Sequence, residues 1–275
     1  MSENGCSNLK FSEHDPKVIL DALSIGGLGD LRRACDFADR IVNIVERAGD
    51  EEELKQGFLA YRARKDYIEE EDTQTGRLDH HPLSRDDVCA PPANKTQLGR
   101  FNAPRNPVLY LSTTPEVAIA ETRALSTDTC TVAKFETLRP LRLAKLLQKG
   151  GVPIGFILND KQTDDDWDKW LLYQTADFVS RRVSDTDRKL HYRACNLIAS
   201  AFKERGFDGV AYRTSFWSNG WRDLGHSEEE ESIFASNIAL FDPQSATPIQ
   251  AGLYRIDWKR PIAEINGNSS WTARS

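Results

Sequence analysis

Leu98-Gly99-Arg100-Phe101-Asn102-Ala103-Pro104, then Pro107-Val108-Leu109-Tyr110-Leu111-Ser112, then Ala118-Ile119-Ala120-Glu121-Thr122-Arg123 form the most informative stretch of this 275-residue chain. The middle piece is a compact β signal. Thr113 or Thr114 can then cap a helix that has Pro115 at its first position, and the helix is expected from Glu116 to about Leu125. Loop, strand and helix each carry one chemical group: Arg100, Tyr110 and Glu121. Such a trio can converge at one end of a sheet. Glu121 is flanked by Ala118, Ile119, Ala120 and Ala124, which predicts a partly buried helix face. A buried carboxylate needs partners, and a nearby Arg is the natural one. Each residue also has a plain structural explanation: a surface ion pair for Arg100, core packing for Tyr110, a salt bridge for Glu121.

Outward from this stretch the pattern is mixed. Leu28, Leu31, Ala34, Cys35, Ala38, Ile41, Val42 and Val45 recur at helical spacing, with Gly29-Asp30 where an N-cap belongs and Gly49 where a C-cap belongs. Glu51-Glu52-Glu53 reads as a charged break. Gly57 to Arg64 alternates as a strand. Residues 65–99 read as a long polar loop that includes His80-His81, and loops of that length are often functional. Strands are expected over 129–135, 207–213, 236–241 and 253–258, and helices over 167–183 and 188–205, the second stopped by Gly206. Helices and strands alternate without a strict βαβ rhythm, so the fold class is α+β and not doubly wound.

Composition removes several functions. Thirty-six Lys and Arg against forty-two Asp and Glu give a net charge of −6 and a pI near 5.5. A nucleic-acid binder dominated by phosphate contacts usually has a basic face, so nucleic acid is not an expected partner. The longest apolar stretch, about Val152 to Leu158, is far short of the ~20 residues of a membrane span, so no membrane partner is expected. The N-terminus has no basic region followed by an apolar run. A cytoplasmic site of action is expected, with export that reads no such signal left open. Five widely spaced cysteines without a CxxC favour free thiols over zinc. A GxGxxG turn, a P-loop and a GxSxG elbow are all missing.

The motifs resemble the RES domain family. Gly99-Arg100-Phe101-Asn102-Ala103-Pro104 is similar to its GR[WFM]N-P pattern. Tyr110 ends the short strand that follows, and Ala118-Ile119-Ala120-Glu121 matches its A-x-A-E helix. Tyr61-Arg62-Ala63-Arg64 looks like the opening strand, Phe207 to Ser215 like the "fDGi-Y-S" strand, and Ser236 to Phe241 like the closing "N-x-x-L-F" strand. The pieces follow family order across roughly residues 56–261. The chain departs from the family in the long 216–235 insertion with its Glu228 to Glu231 run, which is most simply a solvated face. It departs again in Cys195-Asn196 where Thr-Gln is common, and in Leu125 where a His often follows the helix Glu. The expected segmentation is a helical segment over 1–55, a RES-like domain over 56–262 and a polar tail over 263–275.

The resemblance implies an ADP-ribosyltransferase-like split β-sheet with surrounding helices and an N-terminal helical extension, NAD⁺ lying in the cleft of that sheet. It implies cleavage of NAD⁺ at the nicotinamide N-glycosidic bond, as a glycohydrolase with water or a phosphorylase with phosphate as acceptor, by a toxin that depletes NAD⁺. The partner it implies is an Xre-type antitoxin or immunity protein. NAD⁺ is then a consumed substrate, with no further cofactor and no metal. Cleavage builds positive charge on the ribose, as in glycoside hydrolysis, and a fixed carboxylate stabilises it. Glu121 is the candidate, with Arg100, Tyr110 and Ser215 completing the catalytic set. Arg62, Arg100, Tyr110 and Asn102 are the candidate NAD⁺-binding residues, since arginine forks suit pyrophosphate and an aromatic face suits the cationic nicotinamide. Arg123, Arg193 and Arg213 are weaker candidates beside the site. Two other classes stay open: a transferase that ADP-ribosylates a protein target, and a non-catalytic nucleotide-binding module.

Overall fold

Gly49 stops the first long helix by adopting φ of 69°, a left-handed conformation that a side chain would strain. The structure, a computed structural model, describes residues 13–124, 128–147, 162–214, 236–255 and 263–270. Along the chain it shows α1 (Lys17–Ile25), α2 (Leu28–Ala48), β1 (Glu51–Leu54), β2 (Leu59–Arg64), β3 (Ile68–Glu71), β4 (Leu78–His81) and α3 (Arg85–Val88). Then come β5 (Leu109–Ser112), α4 (Pro115–Glu121), β6 (Thr129–Thr137), β7 (Leu141–Leu146), α5 (Asp164–Ser180) and α6 (Asp185–Glu204). The last elements are β8 (Gly209–Arg213), β9 (Ser236–Leu240), β10 (Ala246–Arg255) and β11 (Ala263–Ser270). The fold is α+β with an N-terminal helical part, as expected.

The chain divides into two interleaved units. The first holds residues 1–52, 96–106 and 142–213. Its helices α1, α2, α5 and α6 pack together, and β7 runs parallel to β8 with Leu143 opposite Gly209. From α2, Ile41, Val42 and Val45 are fully buried, and each such side chain contributes ~1.5–3 kcal/mol. The predicted apolar face is only partly the buried one. Leu28, Leu31 and Cys35 are exposed while Phe37 and Ile44 are buried, because the neighbouring helices cover the C-terminal two-thirds of α2. The N-cap is Gly27 and not Gly29-Asp30. Helix α5 begins on a capping box: the Thr163 hydroxyl accepts from the Asp166 N–H, and the Asp166 carboxylate accepts from the Thr163 N–H. A charged knot ties this unit together. The Arg142 guanidinium donates to both carboxylate oxygens of Glu51 at 2.6 and 2.8 Å and to Glu46 at 3.2 Å. Its flat face covers the Phe207 ring at 3.9 Å.

The second unit holds residues 53–95, 107–141 and 214–275. Its strands run in the order β9-β5-β2-β6-β10-β11, and each pairing is antiparallel. The longest ladder joins β6 to β10 and slips register between Pro248 and Gln250, where proline supplies no N–H. Helix α4 lies on β2 and β6. Ile119 packs with Cys130 and Val132, flanked by Tyr61, Ala63, Ala124 and Tyr254.

Several expectations change. Glu51-Glu52-Glu53 is strand β1, its backbone held by β7 although its side chains carry no apolar pattern. The stretch expected to be a long loop holds the β3–β4 hairpin, with His80 opposite Glu69 and His81 opposite Ile68. Helix α4 ends at Glu121, earlier than expected, and Arg123 follows with φ of 56°. The polar tail contributes β11, paired to β10 through backbone bonds that need no apolar side chain. Ser215, Val152 to Leu158 and the 216–235 insertion lie outside the described residues.

Candidate active site

In the second unit, the local sequence places Glu121 by three devices. Thr114 caps α4 by accepting from the Val117 N–H, Pro115 presets the first turn, and Ile119 anchors the helix to the sheet. Glu121 is thereby the last helical residue, half-buried above the strands. The expected arginine partner is replaced by two neutral donors. The Thr214 hydroxyl donates to Glu121 Oε1 at 2.6 Å, and the Asn237 amide donates from Nδ2 to the same oxygen at 2.6 Å. No ion pair reaches Glu121 among the described residues. The reason is the closing strand: β9 pairs with β5, and Asn237 is thereby carried under the end of α4. Ser112 stands directly opposite Asn237 in that ladder, and its hydroxyl donates to Asn237 Oδ1 at 2.8 Å.

Arg62 and Arg64 lie on one face of β2, since alternate strand residues share a face. Arg62 Nη1 donates to the carbonyl oxygen of Tyr110 at 2.9 Å, and Arg64 Nη2 to that of Cys89 at 3.1 Å. Arg62 and Tyr110, two of the predicted residues, are thus in direct contact. Both Nε atoms are buried without a hydrogen-bond partner among the described residues. Burial, then the neighbouring Arg64 charge, pulls the Arg62 guanidinium down to about 9, which still leaves it cationic at neutral pH. No carboxylate pairs with it among the described residues. An unneutralised, half-buried cation with spare donor capacity suits an anionic ligand.

In the first unit, Arg100 is anchored by backbone. It donates to the carbonyl oxygens of Val179 and, at 3.3 Å, Arg181. Its guanidinium lies 5.9 Å from the Tyr192 ring centroid and 5.8 Å from that of Tyr212. Phe101 is core, edge-on to Tyr212 at 4.9 Å. Asn102 is buried, and its amide donates to the Gln97 carbonyl at 2.6 Å, inside its own loop. Asn196 from α6 donates to the Gly99 and Arg100 carbonyls at 2.9 and 3.2 Å. Arg100 is therefore preset by its surroundings. His191 is buried beside it. Burial, then the charges of Arg181 and Arg100, pushes its imidazole down to about 4. Burial drives the Cys195 thiol up to about 12.

Of the weaker candidates, Arg213 pairs with Asp177 at 3.4 Å, Arg193 is exposed, and Arg123 is exposed with its carbonyl accepting from Lys65. Thr214, Asn237 and Ser112 around Glu121, and Asn196 beside the Arg100 loop, are polar partners that sequence reasoning does not single out. The signal for Asn237 was its place in the closing-strand motif, and for Thr214 its position just before Ser215. Among the described residues no group of three or more His, Cys, Asp or Glu could hold a metal ion, and no helix is long and apolar enough to cross a membrane.

Comparison with known proteins gives one family. The RES domain matches residues 60–259, most of the chain. No curated protein matches. Among solved structures, the Mycobacterium tuberculosis MbcT–MbcA toxin–antitoxin complex contains a similar chain. It is 10% identical, with a TM-score of 0.38, over 77% of this chain and 90% of that one.

Proposed function

This chain belongs to the RES domain family, and from that premise we propose that it cleaves NAD⁺ at the bond between nicotinamide and ribose. The observation that carries the proposal is the state of Glu121. Its carboxylate is fixed through one oxygen by two neutral donors and meets no cation among the described residues. Its negative charge is therefore not neutralised by any described residue, and the proposal assigns it to a cationic transition state. A carboxylate with an arginine partner would already have its charge balanced.

In the proposed reaction the C1′–N1 bond breaks and its electron pair leaves with nicotinamide, which departs neutral. The ribose becomes oxocarbenium-like, and Glu121 stabilises that charge from a position that needs no reorganisation. Water adds to C1′ and loses a proton, giving ADP-ribose. Arg62 holds the pyrophosphate, Tyr110 lies against the nicotinamide, and Ser215 orients a ribose hydroxyl. Arg100 is a further candidate for NAD⁺ on the strength of the family motif alone, with Asn102 and Asn196 fixing its loop. NAD⁺ is substrate and no metal takes part. In the cell the protein acts as a toxin that depletes NAD⁺, held in check by an antitoxin or immunity partner of the Xre type.

Product analysis of purified protein tests this. NAD⁺ in plain buffer is expected to give nicotinamide and ADP-ribose. ADP-ribose-1″-phosphate formed only when phosphate is present would make the enzyme a phosphorylase. Label transferred to a protein in cell extract, with little free ADP-ribose, would make it a transferase. No nicotinamide release under any of these conditions would overturn the proposal.

A further inference from the structure

We propose that Asn237, backed by Ser112, is a positioning residue for Glu121 that reserves one carboxylate oxygen, Oε2, for the ribose. The inference rests on the NAD⁺-cleaving function proposed above and names the part of the site that sets its geometry.

Asn237 and Ser112 are both deeply buried, 2% and 4% exposed, and face each other across the β5–β9 ladder. A buried amide is costly unless both ends are bonded. Here both ends are: Oδ1 accepts from the Ser112 hydroxyl at 2.8 Å, and Nδ2 donates to Glu121 Oε1 at 2.6 Å. The direction of the relay is fixed by chemistry. An ionised carboxylate only accepts, so the amide nitrogen must face it, and Ser112 must then donate. Thr214 adds a second donor to the same Oε1 at 2.6 Å. Among the described residues both donors converge on one oxygen, and Oε2 receives no hydrogen bond from any of them. A carboxylate serving only structure would be expected to spend both oxygens on the protein. Held by Oε1 alone, the group is restrained about its side-chain torsions and still presents a charged oxygen with open lone pairs.

Nicotinamide release from NAD⁺, followed for wild type, Asn237→Asp, Glu121→Gln, the double variant and Ser112→Ala, tests the proposal, with thermal unfolding alongside. Asn237→Asp keeps the shape and replaces the donor with an acceptor. It is expected to lower kcat ~10–100-fold, as loss of an orienting partner does elsewhere, while KM for NAD⁺ changes little. In the Glu121→Gln background it is expected to cost nothing more, because the residue it positions has already lost its charge. Ser112→Ala removes only the far end of the relay and is expected to lower kcat by a smaller factor, and it decides the matter if Asn237→Asp does not fold. Unchanged kcat in a folded Asn237→Asp, unchanged kcat in Ser112→Ala if Asn237→Asp does not fold, or losses that multiply in the double variant would each overturn the positioning role. Absence of nicotinamide release by wild type is a different result and overturns the proposed function itself.

Discussion

Arg100 donates one terminal nitrogen to the carbonyl oxygen of Val179, in the last turn of α5, and the other to that of Arg181 just beyond it. The last carbonyls of a helix have no partner within it, and a cation there also opposes the negative end of the helix dipole. Two tyrosine rings, Tyr192 and Tyr212, lie within cation–π range of the same guanidinium. A residue selected from sequence for substrate chemistry therefore also has a structural task.

Arg100→Ala should lower stability as well as NAD⁺ turnover. Hydrogen bonds to a charged group are worth ~1.5–3 kcal/mol, and denaturant unfolding should show a loss of that order. Arg100→Lys keeps the charge and loses the fork, so it should recover part of the stability. An Arg100→Ala protein as stable as wild type would refute the capping role.

Glu121→Gln should do the opposite. It keeps the shape and the acceptor oxygen for Thr214 and Asn237, so the unfolding midpoint should hardly move. Loss of one preorganised electrostatic group typically costs ~10²–10³ in rate, and NAD⁺ consumption should fall by about that factor. Near-normal turnover would remove Glu121 from the site.

His191 makes acid stability predictable. Its folded pKa is about 4, below the ordinary value of 6.5, because it is buried and faces Arg181 and Arg100. The unfolded state therefore binds more protons between these values. The stabilisation is present in full above pH 6.5 and is lost as pH falls through 4, a change of ~3 kcal/mol at most. Urea titrations at pH 7 and pH 5 should show wild type losing stability, with a shallower loss in His191→Gln. Equal slopes would show that this imidazole is not the titrating group.

Arg142 gives a second, separable acid effect. The hydrogen bond from Arg142 to Glu51, reinforced by charge attraction and opposed by burial, holds the Glu51 carboxyl below the usual carboxylate range. A depressed carboxyl contributes stability above its unfolded pKa and loses it as pH falls through the folded value. Arg142→Met keeps the contact with Phe207 and removes the cation. It should flatten the stability profile below about pH 4.5 while leaving the His191 step in place. A profile unchanged below that pH would rule out the pair as its source.

Cysteine reactivity offers a direct check of packing. Cys35 is exposed, while Cys130 and Cys195 are buried, with their thiols pushed up mainly by desolvation. Native alkylation followed by mass spectrometry should label Cys35 and spare the two buried thiols until the protein is unfolded. Labelling of Cys195 at the rate of Cys35 would contradict the packing of α6.

Sequence alone determined what depends on local chemistry and on the periodicity of a buried face. Thr114 and Pro115 set the start of α4, Gly49 the end of α2, alternation marked β2, and short β-rich runs marked β5 and β9. The ordered motifs around Arg100, Tyr110 and Glu121 identified the family. Strand β1 and the β3–β4 hairpin escaped because backbone pairing, and not an apolar pattern, makes them strands. Tertiary structure decided who meets whom. Glu121 finds Thr214 93 positions away and Asn237 116 positions away, and Arg100 finds Val179 79 positions away. Periodicity reports that a side chain is covered but carries no record of the donor that covers it. That choice is made by strand register: setting Ser112 opposite Asn237 puts the Asn237 amide under Glu121 and gives the carboxylate a neutral partner where an arginine was expected.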